Sequence, residues 1–187
     1  MNEKLIVSSS PHIRSGDDTR SIMLDVIIAL LPALAVAVYY FGLRALTLTV
    51  ASVIFCVGFE WLYRKLLKKP NSIGDLSAIV TGMLLALCLP VQATYWMVLI
   101  GAFFAIVIVK QLYGGIGKNF VNPALAARAF LFSFPVYMTT WAESMTRAPI
   151  FGSVADVATS ATPLASLHEG IIPQEYSLMN LFLGQTG

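Results

Sequence analysis

The chain has 187 residues, of which 57% are hydrophobic and only 12% are charged. Soluble domains carry about 25% charged residues, so this sequence has too little charge to cover an ordinary water-exposed surface. The formal net charge of +2 gives no sign of a nucleic-acid partner, and none is expected. Long apolar runs together with this composition predict an all-α, polytopic bundle of transmembrane helices.

The N-terminal residues 1–21 are polar and mixed in charge. The apolar stretch that follows them is too long for the core of a signal peptide, so we expect residues 1–21 to form a cytoplasmic segment. Two cysteines, Cys56 and Cys88, lie inside apolar stretches and lack CxxC spacing. Packing is favoured over a zinc site for both of them, and no metal site is expected.

Five apolar stretches between residues 22 and 140 are predicted to be transmembrane helices. They cover residues 22–41, 45–63, 76–89, 94–109 and 123–140. The first two each reach the roughly 20 residues that cross a bilayer. Gly82 allows a neighbouring helix to pack closely against the third. Asn122 and Pro123 suit the N-cap and the first turn of the fifth. A polar, turn-rich loop follows at 141–176, and 177–187 begins another apolar segment.

The distribution of basic residues predicts the orientation of these helices. Nine of the 12 lysines and arginines precede the first stretch or follow the second and fourth. Because cytoplasmic loops carry the positive excess, the N-terminus is predicted to be inside and the 141–176 loop to face outward. The nine are Lys4, Arg14, Arg20, Arg64, Lys65, Lys68, Lys69, Lys110 and Lys118.

Several polar residues near the membrane admit two interpretations. Asp25 and Glu60 suit an ion pathway or the interfacial end of a helix. Arg128 suits a functional site inside the membrane or a side chain that snorkels to the interface. The glycine-rich loop at 114–119, which ends at Asn119, suits a re-entrant turn or an anion-binding hinge, and it lacks the spacing of a Walker A loop.

The outward loop contains a cluster of hydroxyl groups close to one acid. Thr159, Ser160 and Thr162 lie within four positions, and Asp156 precedes them. Pro163 favours an extended backbone at Thr162, which would present that hydroxyl to a modifying enzyme. The alternative is that these residues cap a short helix.

Three segments in order carry a resemblance to a known family. They are residues 8–14 (SSSPHIR), residues 114–130 (GGIGKNFVNPALAARAF) and residues 156–162 (DVATSAT). Together they resemble the family that contains RnfD, from the ion-translocating ferredoxin:NAD oxidoreductases called Rnf complexes, and its relative in the sodium-pumping NADH:quinone reductases. The last segment is similar to the flavinylation signal of these membrane proteins. The short N-terminal segment favours the Rnf branch.

The resemblance implies a bacterial inner-membrane flavoprotein that carries electrons and couples them to Na⁺ or H⁺ translocation. It implies FMN joined by a phosphoester to Thr162. A flavin transferase would recognise Asp156 and the neighbouring Thr159 and Ser160, although many members have Gly at the position of Ser160. Asn119 and Arg128 then become candidates for contact with a second, non-covalent flavin.

The resemblance also implies partners and leaves alternatives. The expected partners are the other subunits of the complex, the transferase and membrane lipid, and no complete catalytic site is expected in this chain alone. Family members carry further spans after the flavin loop, so the sequence looks like an N-terminal half. The alternatives are a subunit of the quinone-reductase type or a secondary transporter without covalent flavin.

Overall fold

The computed structural model describes residues 18–69 and 72–134. All regular secondary structure within these two ranges is helical, which confirms the predicted all-α class. Residues 1–17 of the predicted cytoplasmic segment 1–21, residues 135–140 of the fifth predicted span and the 141–176 loop lie outside the described residues. The expectations for those parts of the chain therefore stay predictions.

Five α-helices make up most of the described structure. They are α1 (Thr19–Phe41), α2 (Leu43–Leu66), α3 (Ser77–Leu87), α4 (Tyr95–Phe103) and α5 (Pro123–Leu131). A 3₁₀ turn at Ile73–Asp75 precedes α3. A π-helix at Phe104–Gln111, termed the π segment, continues α4 without interruption.

The first two helices form a hairpin and are both long and apolar enough to cross a membrane. The side chain of Asp18 accepts a hydrogen bond from the backbone N–H of Thr19 at 2.8 Å and caps the start of α1. Gly42 connects the two helices with φ at +77°, a conformation that glycine adopts without steric cost. None of the residues of α1 is buried against the described part of the chain, so its apolar side chains are available to lipid.

Helix α2 is the centre of the bundle, because α3, α4 and the π segment all pack against it. The predicted close approach at Gly82 is confirmed: a Cβ atom there would lie 2.7 Å from the Cα of Val53. Ser52 of α2 donates a hydrogen bond to the backbone carbonyl of Gly82 at 2.8 Å. Small side chains on both helices thus allow two backbones to meet, as is usual for helix pairs in membranes.

Helix α5 begins where the sequence predicted. The side chain of Asn122 accepts a hydrogen bond from the backbone N–H of Ala124 at 3.0 Å, and Pro123 occupies the first helical position. The ring of Phe130 stacks on Phe104 of the π segment with centroids 4.3 Å apart. This contact fixes α5 against the π segment, which also carries the buried charged residue Lys110.

Candidate functional site

Glu60 is the buried acid of the described bundle. It lies in the last third of α2, and its exposed fraction is 0%. Of the two interpretations of this residue, the structure therefore disfavours the solvated acid at a helix end. An ionised carboxylate is costly inside a membrane protein unless it is paired and hydrogen-bonded. The neighbours of Glu60 meet that requirement.

Four side chains from three segments surround the carboxylate. The ammonium of Lys110 donates to Oε2 at 2.7 Å, and the amide of Gln111 donates to Oε1 at 3.0 Å. The hydroxyl of Ser72 donates to the same Oε1. Arg64, one turn further along α2, lies 3.9 Å away through Nε. Both oxygens of Glu60 are thus satisfied, and the buried negative charge is compensated.

The π segment explains how two consecutive residues reach one carboxylate. Lys110 and Gln111 are both 1% exposed and occupy the last two positions of that segment. The backbone N–H of Leu112 bonds to the carbonyl of Val107 at 3.1 Å, five residues earlier. A wider turn of this kind places successive side chains closer in direction than an α-helix does, and such turns recur at functional sites.

A second acid, Asp75, is linked to Glu60 through a chain of three hydrogen bonds. Lys110 also donates to the hydroxyl of Ser77 at 2.5 Å. That hydroxyl donates to Oδ1 of Asp75 at 2.6 Å, and the backbone N–H of Ser77 donates to the same oxygen at 2.9 Å. Asp75 therefore caps the start of α3 and is half-buried. The ammonium of Lys110 lies between a buried acid and a partly exposed one.

The opposite end of α2 holds a buried cation. Arg44 is 1% exposed and lies 16 positions before Glu60, or about 24 Å along the helix axis. Its guanidinium donates to the backbone carbonyls of Val91 at 2.8 Å and Ala93 at 3.3 Å. It also faces the ring of Tyr95, 5.8 Å from the centroid. Arg44 thus fixes the connection between α3 and α4.

The burial of Lys110 and Arg44 was not predicted from the sequence. Lys110 was counted among the nine basic residues of the predicted cytoplasmic side and Arg44 lies outside that set, whereas the structure buries both side chains. The signal that points to Lys110 is its place at the end of an uninterrupted apolar run with Gln111 next to it. Pairing it with an acid 50 residues earlier required the helix arrangement.

The residues proposed for flavin contact are only partly described. Arg128 is half-buried in α5, with its guanidinium 5.4 Å from the centroid of Phe132. Within the described residues, Nε of Arg128 and Oδ1 of Asn119 are buried atoms without a hydrogen-bond partner. The residues of the predicted flavinylation signal lie outside the described residues; they are Asp156, Thr159, Ser160 and Thr162. The structure therefore does not test this prediction.

Comparison with known proteins agrees with the resemblance. The model of the NQR2, RnfD, RnfE family matches residues 6–187. The chain is 53% identical over 189 residues to the D subunit of the Na⁺-translocating ferredoxin:NAD⁺ oxidoreductase complex of Acetobacterium woodii, covering 100% of this chain and 57% of that protein. It is 42% identical over 181 residues to the D subunit of the proton-translocating ferredoxin:NAD⁺ oxidoreductase complex of Clostridium ljungdahlii, covering 96% and 52%.

A third relative comes from a further organism. The D subunit of the ion-translocating oxidoreductase complex of Actinobacillus succinogenes is 40% identical over 178 residues, covering 94% of this chain and 48% of that protein. The chain thus spans about half the length of these curated relatives. The match to the family model covers nearly the whole sequence, and we conclude that this chain belongs to the NQR2, RnfD, RnfE family.

Proposed function

We propose that the chain forms part of the membrane subunit of an ion-translocating electron-transport complex of the ferredoxin:NAD oxidoreductase type. The observation that carries this proposal is the identity of 53% over the whole chain with a relative named for that activity. The groups that exchange electrons with this chain and the rest of the translocation pathway would belong to other parts of the complex.

We further propose that Thr162 carries FMN through a phosphoester bond. The chemistry of the side chain fits, because a threonine hydroxyl supplies the oxygen that such an ester requires. Asp156, Thr159 and Ser160 would form the surface that a flavin transferase recognises. When bound, the flavin would supply the electron-carrying chemistry, while the protein provides its position and surroundings. The predicted outward orientation of residues 141–176 would place this group on the non-cytoplasmic side.

The proposed cation-handling group is Glu60. Its support is geometric: a carboxylate with an exposed fraction of 0% lies within a helix that is long and apolar enough to span a membrane. Ionisable residues in such positions commonly mark ion or proton pathways. A carboxylate accepts either a proton or an oxygen-coordinated cation, so this residue type is compatible with relatives named for Na⁺ and for proton translocation.

Replacement of Thr162 by alanine tests the covalent flavin. The complete subunit would be produced together with a flavin transferase, denatured and run on a gel that is viewed under ultraviolet light. We expect yellow-green flavin fluorescence in the wild type, its loss in Thr162→Ala, and a wild-type mass increased by FMN less water. Ser166→Ala removes another hydroxyl of the same loop and should keep the signal. Fluorescence of equal strength in Thr162→Ala would refute attachment at this residue.

A further inference from the structure

The ammonium of Lys110 holds the position at which any other cation would have to approach Glu60. It lies 2.7 Å from Oε2, and the ion pair is almost completely buried. Gln111 and Ser72 occupy the other oxygen, Oε1. Both carboxylate oxygens therefore already accept a hydrogen bond while Lys110 is bound, and its ammonium neutralises the charge that would attract a second cation. Release of the ammonium would leave a buried, uncompensated negative charge with a strong attraction for a replacement.

The structure provides a second partner for the released ammonium. Lys110 is already bonded to the hydroxyl of Ser77, and that hydroxyl is bonded to the carboxylate of Asp75. A flexible lysine stem needs only a small displacement to exchange one acid for the other. The other charged neighbour of Glu60 is Arg64, on the same helix at 3.9 Å, and the thiol of Cys56 lies one turn earlier on α2.

The π segment supplies an element that can move the lysine. Its eight residues end in Lys110 and Gln111, and π-helical turns are rare and often occur at functional sites. Rewinding of the segment to an α-helix would turn Lys110 and Gln111 relative to α2. Both donors would then leave Glu60 in one movement. The segment packs against α2 and α5, so such a movement would reach both helices.

We propose that Lys110 is a positioning residue that competes with the translocated monovalent cation for Glu60 and moves toward Asp75 when that cation binds. This inference rests on the proposed function and adds the regulation of its cation site. The competing ion is Na⁺ or a proton, and the two share the requirement for an uncompensated carboxylate. Lys110 sets the affinity of Glu60 for that ion and does not itself travel across the membrane.

Opposite substitutions at Lys110 test the competition in the complete complex in membrane vesicles. Turnover would be measured against Na⁺ concentration at fixed pH and against pH without Na⁺. Lys110→Met removes the competitor, so the apparent KM for Na⁺ should fall about tenfold. Lys110→Arg allows a two-bonded pair with Glu60, so this KM should rise about tenfold. If the ion is a proton, the half-saturating pH should rise in Lys110→Met and fall in Lys110→Arg.

Matched variants separate this inference from the proposed function. Lys65→Met removes an exposed lysine from the same end of α2 and should leave the cation dependence unchanged. Glu60→Gln should abolish that dependence while the flavin fluorescence persists. Wild-type cation dependence in both Lys110 variants would overturn the competition. Should Lys110→Met fail to assemble, the direction of the change in Lys110→Arg decides the question alone. Wild-type pumping in Glu60→Gln would refute Glu60 as the cation site and leave the flavin proposal untouched.

Discussion

Arg44 shows how a single charge can hold an interhelical loop in place. It is among the largest fully buried side chains of the described residues. Its hydrogen bonds reach Val91 and Ala93, which lie in the short connection between α3 and α4. Hydrogen bonds from a charged donor contribute more than neutral ones, about 1.5–3 kcal/mol each. Arg44, near the start of α2, is thus part of the internal framework of the bundle.

Replacement of Arg44 by methionine should lower the free energy of unfolding of the complete protein by about 3 kcal/mol, because two buried carbonyls lose a charged donor. Methionine keeps much of the side-chain volume, so the effect reports the hydrogen bonds more than a cavity. The measurement is thermal unfolding of the purified protein in detergent. Arg44→Lys keeps the charge but has a single donor group, so its free energy of unfolding should lie between those of the wild type and Arg44→Met. An unfolding temperature equal to that of the wild type would contradict this account.

At the residue scale, a contact could be predicted from the sequence when the two residues lie close together in the chain. Asn122 was correctly predicted as an N-cap because the signal is local: an amide side chain followed by Pro123 and a run of small apolar residues. Glu60 and Lys110 are separated by 50 positions, and their pairing depends on how three helices are arranged. The sequence identifies Glu60 as an acid within an apolar stretch, but it does not identify the residue with which Glu60 forms an ion pair.

The contact between α2 and α3 depends on the absence of a side chain at one position. The three atoms nearest to a Cβ on Gly82 would be backbone atoms of Ser52 and Val53, the closest at 2.7 Å. Backbone cannot move aside as a side chain can, so the two helices would have to separate. Gly58, on the same helix as Ser52, has nothing within 4 Å of its corresponding position. The two glycines therefore form a matched pair for an experiment.

Gly82→Ala should destabilise the bundle by about 1–3 kcal/mol through overpacking. Gly58→Ala should be neutral or slightly stabilising, because alanine is favoured over glycine in a helix by up to about 1 kcal/mol. Thermal unfolding of the two purified variants, side by side with the wild type, measures the difference. Equal unfolding temperatures for both variants would show that the close approach of α2 and α3 does not limit stability.

At the element scale, the five α-helices begin within three residues of the predicted apolar stretches, but α5 ends at Leu131, short of the predicted residue 140. The type of helix was not predicted. The predicted stretch 94–109 corresponds to α4 and the π segment, which together end at Gln111. A change from α to π geometry leaves the hydrophobic composition unchanged, and the π segment is where Phe104 packs on Phe130 and Lys110 pairs with Glu60. Contacts of that kind arise only once neighbouring helices are in place.

At the scale of the whole molecule, the orientation of the helices across the membrane is a prediction that an experiment must test. In a protein with Cys56 and Cys88 replaced by alanine, single cysteines would be introduced as Lys68→Cys and Ser153→Cys. A membrane-impermeant maleimide applied to intact cells should label the variant at position 153 and spare the variant at 68, because positive charge favours the inside. Permeabilised cells provide the control, since both sites should then react. Labelling at position 68 in intact cells would reverse the proposed orientation.

The pairing of Glu60 with Lys110 also determines how the bundle senses the electric field across the membrane. While their charges remain 2.7 Å apart, they form a neutral dipole, and a membrane potential performs almost no net work on them. When a cation replaces Lys110 at Glu60, the cation and the ammonium move as single charges, and a full crossing by one charge corresponds to about 2.3 kcal/mol for each 100 mV. The voltage sensitivity of this part of the molecule should therefore arise in the separated state, so that the resting conformation is electrically silent.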